Sequence, residues 1–134
     1  MTAENLIGAW TIEATHPALP GETIAGRAIF AWLGEGHFLV QRTHYDHPEF
    51  PDGMVVIGDL ADAPTMHYFD VRGVHREFEV ELTADTWRYW NDTPGFAQRC
   101  TAELDADTIT ATGELSLDNT TWSPDLTITY RRTP

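Results

Sequence analysis

Histidine is the residue type in this sequence with the widest choice of chemistry. The chain has six histidines among 134 residues, and imidazole can bind a metal or exchange a proton near neutral pH. The segment His44-Tyr45-Asp46-His47 resembles a metal site in composition, but His44 and His47 point to opposite faces of an extended strand. No Cys–His spacing of the structural zinc type is present. We therefore expect no metal ion and no other cofactor, and interpret these histidines as strand-end residues that make local hydrogen bonds.

Arg76 is the most informative charged residue because it lies among apolar side chains. It shares a strand face with Val74 and Phe78, and this face should point inward. A guanidinium is costly in an apolar interior unless it has a partner. Two interpretations are open: a structural ion pair with Asp70 on the neighbouring strand, or a contact with an acidic or carbonyl group of a ligand.

Further polar and aromatic residues fall on faces that the pattern predicts to point inward. Gln98 lies on an apolar face of one strand, and Arg42 and His44 lie on an apolar face of another. Trp87 and Trp90 occupy opposite faces of their strand, so only one of them can be internal. The candidate ligand-binding residues are Arg42, His44, Tyr68, Arg76, Trp90 and Gln98. A one-residue slip in strand register would reverse any of these orientations.

The elements that must position these residues are short strands with period-two alternation, separated by turn residues. Hairpin-length connections between them predict an all-β, ten-stranded, antiparallel up-and-down barrel of the lipocalin type, in one domain over residues 1–134. A weak helix candidate covers Thr2 to Leu6. The predicted strands are Ile7 to His16, Glu22 to Leu33, His37 to Asp46, Met54 to Asp59, Thr65 to Val71, Val74 to Leu82, Thr86 to Asn91, Phe96 to Leu104, Thr108 to Leu115 and Thr120 to Arg132.

Composition excludes several classes of function. The formal net charge is −13, with 21 acidic and 8 basic residues, which argues against nucleic acid and anionic membrane surfaces as partners. Cys100 is the single cysteine and is interpreted as a small core residue. No signal peptide or membrane-spanning stretch is expected, so the predicted location is the cytoplasm. The sequence is compatible with a homodimer.

The first and last strands carry a resemblance to lipocalin-like barrels, the calycins. Gly8-Ala9-Trp10 matches the Gly-x-Trp motif that opens the first strand of such barrels, and the last predicted strand ends in Tyr130-Arg131-Arg132. The resemblance implies that Trp10 plugs one end of the barrel. It also implies that an arginine of the last strand, Arg132, packs across the indole ring as a cation–π pair.

Two groups within this architecture are similar to the chain. The first comprises uncharacterised cytoplasmic lipocalin-like bacterial proteins, a domain family of unknown function, and it implies a fold without an activity. The second, more distant, comprises the haem-binding nitrobindins, whose iron is held by a histidine late in the chain. This sequence has no histidine after His75, so that ligand is missing. The segments that resemble the first group are Gly8-Ala9-Trp10, Gly36-His37-Phe38-Leu39-Val40, Tyr68-Phe69-Asp70 with Gly73-Val74, and Trp122 to Arg132.

Two hypotheses of function follow from a barrel with a few inward polar groups. The first is a binding protein that holds a small hydrophobic or aromatic molecule in its interior. The second is a small barrel enzyme of cyclase or isomerase type, with His44 as acid or base and Arg76 polarising a carbonyl group. An open cavity beside an interior histidine would favour the enzyme, whereas a barrel filled with side chains would argue against both.

Overall fold

The computed structural model describes residues 2–60 and 62–134, and these form a short 3₁₀ helix and ten strands. The alternating pattern predicts each strand to within about two residues at most ends, and the helix lies where the sequence predicts it. The helix is Thr2–Leu6. The strands are β1 (Gly8–Thr15), β2 (Ile24–Leu33), β3 (Phe38–Tyr45), β4 (Gly53–Gly58), β5 (Thr65–Asp70), β6 (His75–Leu82), β7 (Thr86–Asn91), β8 (Ala97–Asp105), β9 (Thr108–Ser116) and β10 (Ser123–Arg132).

The ten strands form one closed antiparallel barrel in which each strand pairs with its neighbours in sequence. The last strand closes the sheet on the first, with Trp10 opposite Arg132 and Ile12 opposite Tyr130. Closure removes the unpaired strand edges that would otherwise invite aggregation. The predicted all-β, ten-stranded, up-and-down barrel is confirmed.

Consecutive strands are antiparallel neighbours, so all connections after odd-numbered strands lie at one end of the barrel. One example is the β5–β6 turn, where Gly73 has a φ of 85° and its N–H donates to the carbonyl oxygen of Asp70 at 2.9 Å. A left-handed backbone conformation of this kind favours glycine. We call the end that carries the odd connections the mouth, and the opposite end the closed end.

The closed end is sealed by Trp10, which is 1% exposed. The indole N–H donates to the carbonyl oxygen of Leu6 at 2.9 Å, which ties the ring to the 3₁₀ helix. The guanidinium of Arg132 lies 4.2 Å from the centre of the indole ring. It donates to the carbonyl oxygens of Ile7 and Asn5, each at 2.9 Å. The structure thus places Trp10 and Arg132 in the arrangement that the resemblance to lipocalin-like barrels implies.

Side chains fill the half of the barrel next to this plug. The ring of Phe30 meets the rings of Trp87 and Tyr130 edge-on, with centroids 5.8 and 6.2 Å apart, an arrangement that aromatic pairs prefer. The largest fully buried apolar side chains of the described residues are Trp10, Phe30, Leu6, Leu39, Ile57, Met66 and Ile109. No helix in the described part of the chain is long and apolar enough to cross a membrane.

Candidate functional site

The half of the barrel towards the mouth contains a cavity of about 670 Å³. Inward side chains from most of the strands line it, and loop residues at the mouth complete its rim. Its apolar wall consists mainly of Val55, Met66, Phe78, Leu126 and Ile128. A volume of this size lies within the range of small-molecule pockets, about 300–1,000 Å³. The cavity is the candidate functional site.

Four phenol groups contribute to the polar character of the cavity. Tyr45, Tyr68, Tyr89 and Tyr130 all line it. Burial raises the pKa of Tyr45 and Tyr89 well above the ordinary value, and it likewise raises the pKa of Tyr130. Burial, together with a hydrogen bond to Asp70, raises the pKa of Tyr68 to about 12. All four hydroxyls therefore stay protonated at neutral pH and can donate hydrogen bonds.

The deepest polar pair joins Gln41 to Tyr130. The side-chain amide of Gln41, which is 5% exposed, donates to the hydroxyl oxygen of Tyr130 at 3.2 Å. This bond uses the phenol as an acceptor, so its own proton remains available for an acceptor in the cavity. Phe30 packs behind Tyr130 on the closed-end side. The deep end of the cavity therefore offers neutral hydrogen-bonding groups against an aromatic floor.

Arg76 enters the cavity from β6, as the alternating pattern predicts. Its Nη1 donates to Oε1 of Gln98 at 3.2 Å, and its guanidinium carbon lies 4.6 Å from the centre of the Phe96 ring. Phe96 stands just before β8, and Gln98 points inward from that strand. A neutral amide and one aromatic face thus hold the cation in a fixed orientation.

Asp70 does not form an ion pair with Arg76, which was one of the two interpretations of the sequence. It pairs instead with Arg72, whose Nη2 donates to Oδ2 of Asp70 at 2.7 Å. Asp70 also accepts the hydroxyl proton of Tyr68 at 2.8 Å. The Arg72 guanidinium holds the pKa of Asp70 well below its usual range. The β5–β6 turn is short enough for Arg72 to reach the carboxylate first, which leaves Arg76 without it.

A cluster of aromatic rings lies at the rim of the mouth. Phe50, in the β3–β4 loop, lies 5.3 Å from Tyr45 and 6.3 Å from His16 between ring centres. His16 accepts the backbone N–H of Ala18 through Nδ1 at 3.0 Å, so its proton is on Nε2, which donates to Asp125 at 2.9 Å. Both ring nitrogens are therefore engaged, and His16 joins the end of β1 to the start of β10 as a structural tie.

Cys100 lines the cavity from β8, directly opposite Tyr89. Burial raises the pKa of its thiol to about 11. Only a very small fraction is thiolate at neutral pH, and the thiolate is the reactive form. Cys100 therefore acts as a small wall residue rather than as a nucleophile.

The predicted inward orientation of Arg42 and His44 is wrong. The inward residues of β3 are the intervening ones, among them Gln41 and Tyr45, whereas Arg42 is exposed on the outer surface. The strand has apolar residues at both parities, and Val40 is 8% exposed although it shares the outer face. Alternation therefore does not determine which face of β3 is internal, and the prediction slipped by one residue.

His44 lies outside the barrel between two carboxylates. Its Nδ1 donates to Asp52 at 2.9 Å and its Nε2 to Asp46 at 2.9 Å. The hydrogen bonds to Asp52 and Asp46 raise the pKa of His44. His44 therefore ties the end of β3 to the β3–β4 loop and cannot contact the interior.

Trp90 also lies outside the cavity, in contrast to the sequence prediction. The guanidinium of Arg88, two residues earlier on the same face, lies 5.5 Å from its ring centre. Trp87 is the internal tryptophan of β7 and is 2% exposed. It pairs across strands with Ala102, whose small side chain leaves room for an indole in the interior. That pairing is the signal that could have decided between the two tryptophans.

The structure brings together three of the predicted site residues, Tyr68, Arg76 and Gln98. Sequence analysis did not single out Gln41, Tyr45, Tyr89, Tyr130 and Phe78 as cavity residues, although all of them line it. Tyr89 shares the face of Trp87, so a correct choice between the two tryptophans would have found it. In the same way, the correct choice of the inward face of β3 would have identified Gln41 and Tyr45 as cavity residues.

Comparison with known proteins informs the fold and leaves the family unassigned. No known family model matches the chain, and no curated protein sequence is similar to it. The crystal structure of Rv2717c from M. tuberculosis superposes with a TM-score of 0.70 at 12% identity, covering 97% of this chain and 94% of that one. A redesigned β-barrel gives a TM-score of 0.47 at 18% identity, covering 99% of this chain and 96% of that one. The likeness to the mycobacterial protein is one of fold.

Proposed function

We propose that this chain is a lipocalin-like binding protein that holds one small hydrophobic or aromatic molecule inside the barrel. The single observation that carries the proposal is the cavity of about 670 Å³ above the filled half. Its wall combines apolar side chains with a few phenol and amide groups, which is the composition typical of small-molecule sites. The phenol groups favour a ligand with aromatic rings and with oxygen atoms that accept hydrogen bonds.

The enzyme hypothesis has less support from the described residues. His44, its proposed acid or base, lies on the outer surface between two carboxylates. His16 lines the cavity, but both of its ring nitrogens are engaged. The Cys100 thiol has a raised pKa, which disfavours nucleophilic catalysis. Binding without turnover is the function that these side chains support best.

The proposal is tested by filling the cavity. Lipids, aromatic compounds and polyketides are screened by thermal shift and native mass spectrometry against the wild-type protein and Ala111→Phe. Ala111 lines the cavity and is 4% exposed, so a phenyl ring there takes up part of the empty volume. We expect compounds that bind the wild-type protein to bind Ala111→Phe at least about tenfold more weakly, because overlap with the ring excludes them.

The matched control is Ala25→Phe, which adds the same atoms at an exposed position of β2. It should bind each compound with the wild-type affinity. Circular dichroism and thermal unfolding establish that both variants are folded. Equal binding by all three proteins would place the ligand outside the barrel, and a screen without any bound compound would contradict the proposal.

A further inference from the structure

We infer that the ligand is an organic monoanion and that Arg76 receives its carboxylate on the inner wall of the cavity, beside Gln98. The inference rests on the proposed binding function and adds the chemical class of the ligand. It goes beyond the apolar or aromatic character that the walls alone indicate. Three observations support it. Arg76 has N–H groups without a hydrogen-bond partner among the described residues, the other two arginines of the cavity are paired with carboxylates, and the deep end of the cavity carries only neutral polar groups.

The first observation concerns the hydrogen bonds of Arg76. A guanidinium has five N–H groups, and among the residues that the structure describes this one makes a single hydrogen bond, from Nη1 to Oε1 of Gln98. Phe96 covers one face of the planar group, which leaves the N–H edge free for an acceptor in the cavity. Because Gln98 accepts through Oε1, its amide Nε2 provides a further donor beside the same edge.

The second observation concerns charge. Three arginines line the cavity, and two of them already pair with a carboxylate: Arg72 with Asp70 at 2.7 Å and Arg99 with Glu114 at 2.9 Å. Among the described residues, no carboxylate lies within ion-pairing distance of Arg76. A partly buried guanidinium without a counter-charge is unfavourable, in a chain that has acidic residues in excess. An anionic ligand would supply the missing charge.

The remaining acidic groups of the lining do not compete for Arg76. Asp125 accepts a hydrogen bond from His16 at 2.9 Å, and Glu114 is held by Arg99. Glu49 is exposed in the β3–β4 loop at the rim. These groups and the net charge of −13 repel anions at a distance, so that binding of an anion depends on direct contact with Arg76.

The third observation concerns the opposite end of the cavity, where Gln41 and Tyr130 offer neutral groups only. A second anionic group on the ligand would lack a counter-charge there, which limits the ligand to one. A carboxylate matches the planar fork of a guanidinium in a bidentate contact. The apolar or aromatic body of the ligand then extends past Phe78 and Ile128 towards Tyr130.

The test compares 1-pyrenebutyric acid with 1-pyrenebutanol, two fluorescent probes with the same ring body and different head groups. Both are titrated into the wild-type protein at neutral pH, and the fluorescence of pyrene is recorded. We expect the acid to bind about 10- to 100-fold more tightly than the alcohol, since a hydrogen bond to a charged group contributes more than a neutral one. Equal affinities would overturn the inference.

Two charge-removing variants locate the effect. Arg76→Met should reduce the affinity for the acid to that for the alcohol and leave the alcohol affinity near the wild-type value. Arg88→Met changes the net charge equally, but on the outer surface beside Trp90, and should retain the wild-type preference. A preference that persists in Arg76→Met, or an equal loss for both probes, would contradict the assigned role.

The outcomes separate this inference from the function on which it rests. The comparison of the two probes on the wild-type protein needs no variant, so it decides the question even if Arg76→Met does not fold. If the alcohol and other neutral compounds bind in the cavity and the acid does not, the inference fails and the binding function remains. If no compound of any class binds, both fail together.

Discussion

His44 shows at the scale of a single residue how local charge determines a role. Its imidazole lies between Asp52 and Asp46, and the hydrogen bond to Asp52 is the largest cause of its raised pKa. The same bond lowers the pKa of Asp52. A histidine with this environment is charged over a wider range of pH than a free one, and its hydrogen bonds tie the end of β3 to a loop at the mouth.

The raised pKa of His44 and the lowered pKa of Asp52 predict the pH range in which the hydrogen bond between them stabilises the fold. A raised histidine pKa gives stability that is fully present below the ordinary value of 6.5 and is lost as the pH rises through the folded value. A lowered aspartate pKa gives stability that is present above 3.8 and is lost as the pH falls through the folded value. We therefore expect His44→Gln to lower the midpoint of urea unfolding at pH 5–6 and to change it much less at pH 9.

The control for this measurement is His37→Gln, at an exposed position in the β2–β3 turn. It should have little effect on the midpoint at either pH. A loss of stability in His44→Gln that is equal at pH 5 and pH 9 would show that the charge of the imidazole is not involved.

Prediction from sequence succeeded for Arg76 and Gln98 and failed for Arg42 because of what surrounds each residue along its strand. Arg76 lies on a strand whose other face is almost entirely glutamate, so the inward face is unambiguous. Arg42 lies on a strand with apolar residues on both faces. The ion-pair partner of Asp70 is even harder to predict from the sequence. Its pairing with Arg72 depends on how far the arginine side chain reaches across one particular turn.

At the scale of the element, β2 requires a glycine, Gly26, at a position where it lies very close to the backbone of β3. A Cβ atom at Gly26 would overlap the backbone carbonyl oxygen of His44. Glycine inside a strand marks a place where another backbone approaches closely. Gly26 therefore allows β2 to lie this close to the backbone of β3 in the closed sheet.

We expect Gly26→Ala to destabilise the protein by about 1–3 kcal/mol, the usual cost of forcing atoms into a space already occupied. The matched control is Gly58→Ala in β4, where the added Cβ meets only the ring of Phe38, an exposed side chain that can move aside. Chemical denaturation of both variants measures the difference. A cost for Gly58→Ala equal to that for Gly26→Ala would show that backbone proximity is not the cause.

The strands themselves were predictable because their outer faces are mostly polar. On β9, threonines alternate with buried residues such as Ile109 and Ala111, and period-two alternation of this kind defines both the strand and its inner face. On β3 and β4 the outer surface is apolar as well, with Phe38 and Val56 beside Val40. The strands are still evident there, but the inner face is not.

At the scale of the whole molecule, the barrel is filled at one end and hollow at the other. Phe30 lies in the filled half, where it is 1% exposed and contacts Trp87 and Tyr130. Phe78 is also buried, at 5% exposed, but it borders the cavity. The same truncation should therefore have different consequences at these two positions.

We expect Phe30→Ala to reduce the free energy of unfolding by about 3–5 kcal/mol, since it leaves a new void surrounded by side chains. Phe78→Ala should cost less, about 2–3 kcal/mol, because it only enlarges a space that already exists. Urea denaturation of the two variants provides the comparison. Equal costs, or a larger cost for Phe78→Ala, would argue that the hollow half is as tightly packed as the filled half.

The fold of the whole chain was more predictable than its cavity for a physical reason. Strand periodicity and short turns are local properties, and closing the sheet follows from the need to pair its edges. The cavity is instead the space that side chains leave empty, and it depends on the sizes of residues from strands far apart in sequence. Ala111 and Gly113 on β9 line the same cavity as Gln41 and Tyr45 on β3, and the sequence does not state that these residues share one space.

The separation of plug and mouth has a consequence for how such a chain can change. The indole of Trp10 and the guanidinium of Arg132 hold the closed end together through contacts that involve none of the loops at the mouth. Insertions or substitutions in those loops therefore leave the contacts of the plug unchanged. Related sequences could diverge widely in what they admit to the interior while retaining the same ten-stranded framework.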